Sequence, residues 1–166
     1  MSMMTDPDFQ DVVEDFIKES KSIYTQLEDV LDDYEDDPSP SKLEHFGQVI
    51  DRVMGAAQTI EAHKTGKLCE LGKIVSYKAS QVTDQDLLNI VTSVLYDTVE
   101  VLIKVLHSIE KERIEKVDNF NVDKFSSRLT WLEGKFKDIK RSSVAIGGAD
   151  EMDQSSIDKL LEDIGL

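Results

Sequence analysis

Apolar residues recur every three or four positions along most of this chain, and this spacing constrains the fold more than any other feature. It places apolar side chains on one face of an α-helix, whereas a half-buried β-strand would need strict alternation. Two of the three prolines, Pro7 and Pro40, follow polar residues at positions where a helix would begin. The sequence therefore predicts an all-α protein.

The pattern predicts four long helices before residue 141. They are expected over about 7–37, 40–63, 83–115 and 122–140. Between the second and third, Gly66 and Gly72 lower helix propensity, so no helix is predicted there. The third helix, with Thr83 as its expected N-cap, is apolar on more than one face, as a central bundle helix would be.

The composition changes after residue 140, and this change predicts the domain organisation. Residues 1–140 are expected to form an antiparallel four-helix bundle, and the small and polar residues of 141–155 a flexible linker. Residues 156–166 are expected to form a short helix, because Ile157, Leu160, Leu161 and Ile164 follow helical spacing. The predicted architecture is thus a four-helix bundle with a tethered C-terminal helix.

Charge and the N-terminal sequence exclude several classes of function. The chain has 19 basic and 34 acidic residues, a net charge of −15, which argues against binding to nucleic acid or to anionic membranes. No apolar run reaches the roughly 20 residues of a membrane span. The start MSMMTDPDF lacks the features of a signal peptide, so a cytoplasmic location is expected. The single cysteine, Cys69, is expected to be an inert thiol.

The second predicted helix carries the most informative surface. At 100° per residue, its core seam consists of Leu43, Phe46, Ile50, Val53 and Ala57. Nearly opposite lies an exposed row formed by Glu44, Gln48, Asp51 and Gly55. An exposed glycine within a helix costs about 1 kcal/mol relative to alanine. The row is either an ordinary solvated face or a surface that another protein approaches closely.

The run from Gly47 to Met54, continuing to Gln58, Ile60 and Glu61, resembles the active-site helix of the CheZ chemotaxis phosphatases. That family carries an acidic residue four positions before a glutamine, a glycine directly before the glutamine, and an arginine four positions after it. Glu44, Gln48, Gly47 and Arg52 hold these positions here. The family has aspartate where this chain has Glu44, whose side chain is one methylene longer.

The C-terminal segment resembles the helix by which CheZ captures the response regulator CheY. It has an acidic and apolar pattern closed by glycine and one large apolar residue. The resemblance implies regulator contacts by Ile157, Leu160, Leu161, Ile164 and Leu166. The two resembling segments occur in the order found in the family. CheZ chains place the glutamine far along a long helical hairpin, whereas Gln48 comes early in this sequence.

The resemblance implies a phosphatase that acts on the aspartyl phosphate of a CheY-like regulator. Gln48 would orient the attacking water, Glu44 would engage a cation in the regulator's active site, and Asp51, Arg52 and Gly55 would contact the regulator. The required Mg²⁺ would belong to the regulator, and no cofactor or metal of the chain's own is expected. The family also makes a homodimer possible.

The same row has some resemblance to histidine phosphotransfer domains, which are four-helix bundles with an exposed phosphorylated histidine. In those domains a glycine follows the histidine by four residues, which places Asp51 at the histidine position when Gly55 is aligned. Aspartate cannot take the place of histidine in that relay. The alternative function is therefore a non-catalytic module that binds or sequesters a regulator, and a third is a structural adaptor for an unrelated partner.

Overall fold

A computed structural model describes residues 2–142 together with Lys159, Glu162 and Ile164. Residues 2–142 contain five α-helices and no β-strand, so the all-helical prediction is confirmed. A short 3₁₀ turn at Pro7–Phe9 precedes the first helix. The helices are α1 (Gln10–Asp36), α2 (Pro40–Thr59), α3 (His63–Ala79), α4 (Gln85–Glu112) and α5 (Val122–Ser142).

The first four helices surround one hydrophobic core. Helix α1 packs against α2 and α4, and α3 packs against the same two helices, so the four form a closed ring. Helix α5 packs on the outside of α4, with Phe125 and Leu129 buried. Arg128 also donates hydrogen bonds of 2.8 Å to Ser93 and to Asp97 of α4. The fourth member of the ring is thus α3 rather than the predicted helix near residues 122–140.

Helix α3 is the element that the sequence analysis did not predict. Its apolar residues are buried between α2 and α4, among them Leu68, Leu71 and Val75. The helices approach closely at Gly72, where a Cβ atom would lie 2.7 Å from Cδ1 of Ile50 and 3.4 Å from Cγ2 of Thr98. Burial of apolar side chains therefore outweighs the low helix propensity of the glycines.

The predicted end of α2 near His63 is also wrong. The helix ends at Thr59, and Glu61 adopts a left-handed conformation with a φ of 60°. The chain then enters α3 without a capping side chain, since Ala62 occupies the N-cap position. The missing cap is supplied from a distant part of the chain.

Glu115, just beyond α4, caps the N-terminus of α3. Its carboxylate accepts hydrogen bonds from the backbone N–H of Lys64 (3.1 Å) and Thr65 (2.6 Å), and from the Thr65 hydroxyl (2.8 Å). The first N–H groups of a helix have no partner within the helix, and a negative charge there also favours the helix dipole. This contact joins the α4–α5 connection to the start of α3.

The remaining boundaries differ from the predicted ones by a few residues. Asp84 rather than Thr83 caps α4, accepting hydrogen bonds from the N–H groups of Asp86 and Leu87. Helix α4 ends at Glu112, three residues early, because Arg113 is left-handed with a φ of 58°. Helix α5 runs two residues past its predicted end. The first two residues of the predicted linker are therefore helical, and 143–155 lie outside the described residues.

Candidate functional site

The two faces of α2 follow the predicted division. The five residues of the predicted core seam are all buried, namely Leu43, Phe46, Ile50, Val53 and Ala57. On the opposite side, Glu44, Gln48 and Gly55 are exposed, and Asp51 is partly exposed. The α2 face, defined here as Glu44, Gln48, Asp51 and Gly55, is therefore available to another molecule.

Gln48 and Glu44 are one helical turn apart and both side chains are exposed. Neither has a hydrogen-bond or ion-pair partner within the part of the chain that the structure describes. An amide carries both donors and an acceptor, so Gln48 can accept from one group and donate to another. Its position on a rigid, well-packed helix allows it to enter a concave site on another protein.

Asp51 differs from these two residues because it is ion-paired. Its Oδ1 lies 3.0 Å from Nζ of Lys73 on α3, and the side chains are 45% and 22% exposed. Lys73 also lies over the ring of Tyr77, with Nζ 5.9 Å from the centroid. The α2 face is thus bordered by a cation and an aromatic ring from α3.

The two glycines of α2 lie in different surroundings. A Cβ atom at Gly47 would lie 2.6 Å from Cε1 of Tyr77 and 2.8 Å from Oγ of Ser76, so this position requires glycine. A Cβ atom at Gly55 would meet no atom within 4 Å. Gly47 therefore allows the close approach of α2 and α3, whereas no contact of the described chain explains Gly55.

Arg52 follows Asp51 and is exposed on α2. It lies about 100° around the helix axis from Asp51, so it flanks the α2 face rather than belonging to the same row. Among the described residues no hydrogen bond or ion pair involves its guanidinium group. All the predicted site residues of α2 are therefore at or beside one surface.

The predicted tail residues are only partly described. Ile157, Leu160, Leu161 and Leu166 lie outside the described residues. Ile164 is helical and fully buried, whereas the helical residues Lys159 and Glu162 are exposed. This division agrees with the predicted apolar stripe, but Ile164 can contact a regulator only after leaving its buried position.

Lys73 and Tyr77 are surface residues that the sequence analysis missed. Both belong to α3, and without a predicted helix in that segment they could not be assigned to a face. Their spacing of four residues places them one above the other on a helix. That spacing was a usable signal, but it becomes meaningful only once α3 is known to pack beside α2.

Two cavities of about 230 and 360 Å³ lie elsewhere, between α1 and α4. Both are lined in part by Ile103, and α2 contributes no lining residue to either of them.

The thiol of Cys69 is not placed to act as a nucleophile. Cys69 is fully buried, and burial raises the pKa of its thiol, with the carboxylates of Asp51 and Glu115 adding to the shift. The thiol therefore stays protonated at neutral pH.

Across the described residues, no three His, Cys, Asp or Glu side chains form a group that could hold a metal ion. No described helix is long and apolar enough to span a membrane.

Comparison with known proteins adds no relative. The chain matches no protein-family model, and no curated protein or solved structure shows significant similarity to it.

Proposed function

We propose that this protein binds a phosphorylated CheY-like response regulator through the α2 face and accelerates hydrolysis of its aspartyl phosphate. The observation that carries the proposal is the exposed Gln48 amide, which has no partner among the described residues and projects from a rigid helix. The sequence resemblance to the CheZ active-site helix gives this amide its proposed role. Receivers of this kind act in the cytoplasm, which is the location the proposal requires.

Hydrolysis of the aspartyl phosphate requires little catalysis by the protein, because an acyl phosphate also hydrolyses without an enzyme. Water attacks phosphorus, the bond between phosphorus and the aspartate oxygen breaks, and the regulator regains a free carboxylate. Both protons of the water leave with the inorganic phosphate. Gln48 accepts a hydrogen bond from the water and holds it in line with the breaking bond, as glutamine does in small GTPases.

Glu44 and the regulator supply the remaining interactions. Glu44, one turn before Gln48, pairs with a cation in the regulator's active site and so fixes how deeply Gln48 enters. The Mg²⁺ ion is bound by the regulator, and the phosphatase contributes no cofactor. Arg52 and Gly55 lie at the edge and at one end of the contact, where the regulator surface approaches α2.

The proposed architecture is an antiparallel ring of α1 to α4. The connections 37–39, 60–62 and 80–84 are short, and short connections favour antiparallel neighbours. Because one chain supplies all four helices, the α2 face needs no second copy for its support. A homodimer, which the CheZ resemblance makes possible, is therefore not a requirement of the proposed mechanism.

The test is the decay of a phosphorylated CheY-like regulator with and without this protein. Wild-type protein should accelerate the decay, and Gln48→Ala should return it to the rate of the regulator alone while leaving binding largely intact. Gln48→Glu should also be inactive, because a carboxylate is repelled by the phosphoryl oxygens. Full activity of Gln48→Ala would disprove the role of Gln48.

The second candidate function is binding or sequestration of a regulator without catalysis. It is favoured by the partly exposed Asp51 and the exposed Gly55, which are spaced four residues apart on a helix of a four-helix ring. This spacing resembles that of a phosphotransfer domain without its histidine. The same decay measurement separates the two functions. A sequestering module would bind the regulator and leave its decay unchanged or slower.

The C-terminal segment is proposed to capture the regulator and raise its local concentration near Gln48. Tethering by a short linker gives effective concentrations of about millimolar order. Deletion of residues 154–166 should therefore weaken the apparent affinity strongly, yet leave turnover measurable at high regulator concentration. A synthetic peptide of these residues should compete for the regulator. Unchanged concentration dependence after the deletion would show that the segment only packs on the bundle.

A further inference from the structure

We propose that Lys73 and Tyr77 of α3 are part of the regulator-binding surface, and that Lys73 contacts the negatively charged active site of the regulator. This inference rests on the proposed docking of a regulator on the α2 face. The juxtaposition that carries it is a lysine of α3 held beside the exposed row of α2. Neither residue was predicted from the sequence.

Helices α2 and α3 bring Asp51, Gln48, Lys73 and Tyr77 into one strip of surface. Nζ of Lys73 lies 3.0 Å from Oδ1 of Asp51, which is three residues after Gln48. One turn further along α3, the ring of Tyr77 lies against Gly47, which directly precedes Gln48. Lys73 and Tyr77 therefore run beside the stretch of α2 from Asp51 back to Gln48.

The charges of α2 mean that a neighbouring cation would favour docking. The α2 face contributes two carboxylates, Glu44 and Asp51, and the whole chain has a net charge of −15. A phosphorylated receiver presents a phosphoryl group and carboxylates, so two acidic surfaces would repel each other. Lys73 offsets this repulsion at the border of the α2 face, beside Asp51.

Lys73 retains the donors for this role. An ammonium group has three N–H donors, and the contact with Asp51 uses one of them. The side chain is 22% exposed, and its ammonium group lies over the ring of Tyr77, with Nζ 5.9 Å from the centroid. The position of the ammonium group is fixed before the regulator arrives, which lowers the entropy lost on binding.

Asp51 takes a different role from the one that the sequence suggested. Its carboxylate holds Lys73 and has no other partner among the described residues. Asp51 is therefore a positioning residue for the lysine rather than the principal contact with the regulator. Loss of Asp51 should weaken docking through Lys73, and loss of Lys73 should weaken it directly.

The first experiment measures the dissociation constant for a CheY-like receiver domain loaded with Mg²⁺ and beryllofluoride. Lys73→Ala should weaken binding by about tenfold or more, the loss expected for a charge-assisted hydrogen bond. The matched control is Lys104→Ala. Lys104 belongs to α4, and this helix packs against α1, α3 and α5. This variant removes the same charge far from the α2 face, so it should change the dissociation constant for the receiver domain less than twofold.

The second experiment exchanges the two charges in the double variant Asp51→Lys with Lys73→Asp. It restores an ion pair between the helices, so thermal stability should return to that of the wild type. Binding of the receiver domain should remain about tenfold weaker than that of the wild type. The reason is that the cation then projects from position 51 of α2 and no longer from position 73 of α3. Recovery of binding together with stability would show that the pair only ties α2 to α3.

The outcomes also separate this inference from the proposed function. If wild-type protein binds no receiver domain, or if Gly55→Leu leaves binding unchanged, docking on the α2 face is wrong. If Gly55→Leu weakens binding to that of the C-terminal segment alone while Lys73→Ala has no effect, docking on the α2 face is right and the role of Lys73 is wrong. Each result therefore supports or removes one of the two claims.

Discussion

The two glycines of α2 occupy opposite environments, although both cost the helix about 1 kcal/mol relative to alanine. Gly47 is buried against Tyr77 and Ser76, whereas a Cβ atom at Gly55 would meet nothing within 4 Å. Close packing of α3 compensates for the first glycine, and no contact in the described chain compensates for the second. Internal packing therefore explains Gly47, and an external partner is the explanation proposed for Gly55.

Open surroundings alone do not mark a docking site. Gly66 and Gly134 also have no atom within 4 Å of an added Cβ. Gly55 differs because it shares a helix face with Glu44 and Gln48, two exposed polar side chains without partners in the described chain. The comparison thus distinguishes a glycine needed by the fold from one that belongs to a polar surface.

Substitution of Gly47 should have the largest effect on stability. Gly47→Leu must displace both Tyr77 and Ser76, and overpacking of this kind costs about 1–3 kcal/mol. We expect the free energy of unfolding to fall by about 2 kcal/mol, measured by urea denaturation monitored by circular dichroism. An unchanged midpoint of urea denaturation would mean that α3 can move away from α2 without loss of stability. Close packing would then not explain Gly47.

Gly55→Leu is the matched control, with the same substitution on the same helix. Its free energy of unfolding should stay constant or rise by up to about 1 kcal/mol, because glycine is a poor helix former. Binding of the beryllofluoride-loaded receiver should weaken to that of the C-terminal segment alone, since the larger side chain blocks close approach to α2. A stability loss as large as that of Gly47→Leu would show that Gly55 packs internally.

A smaller effect is expected at the start of α3, which has no capping side chain of its own. Glu115→Ala removes three hydrogen bonds at that end of the helix and should lower the free energy of unfolding by about 1–2 kcal/mol. Glu112→Ala removes an exposed acid nearby and should change it by less than about 0.5 kcal/mol. Equal effects of the two variants would mean that the cap contributes nothing.

The sequence predicted α2 and its two faces well because a single helix determines them. The buried seam from Leu43 to Ala57 and the exposed positions of Glu44 and Gln48 follow from a period of 3.6 residues. Helix α3 was missed because its two glycines lower its helix propensity, which masks the helical spacing of Leu68, Leu71 and Val75. Its stability comes from burial between α2 and α4, which local spacing does not report.

The helical fold class and the position of the exposed polar row of α2 follow from the local order of residues. Both properties depend on neighbours within one or two helical turns, and these are set by the order of residues. Tertiary structure alone decided that α3 completes the ring, that Glu115 caps it, and that Lys73 stands beside Asp51. These contacts join residues 22 to 51 positions apart in the chain, so only packing brings them together.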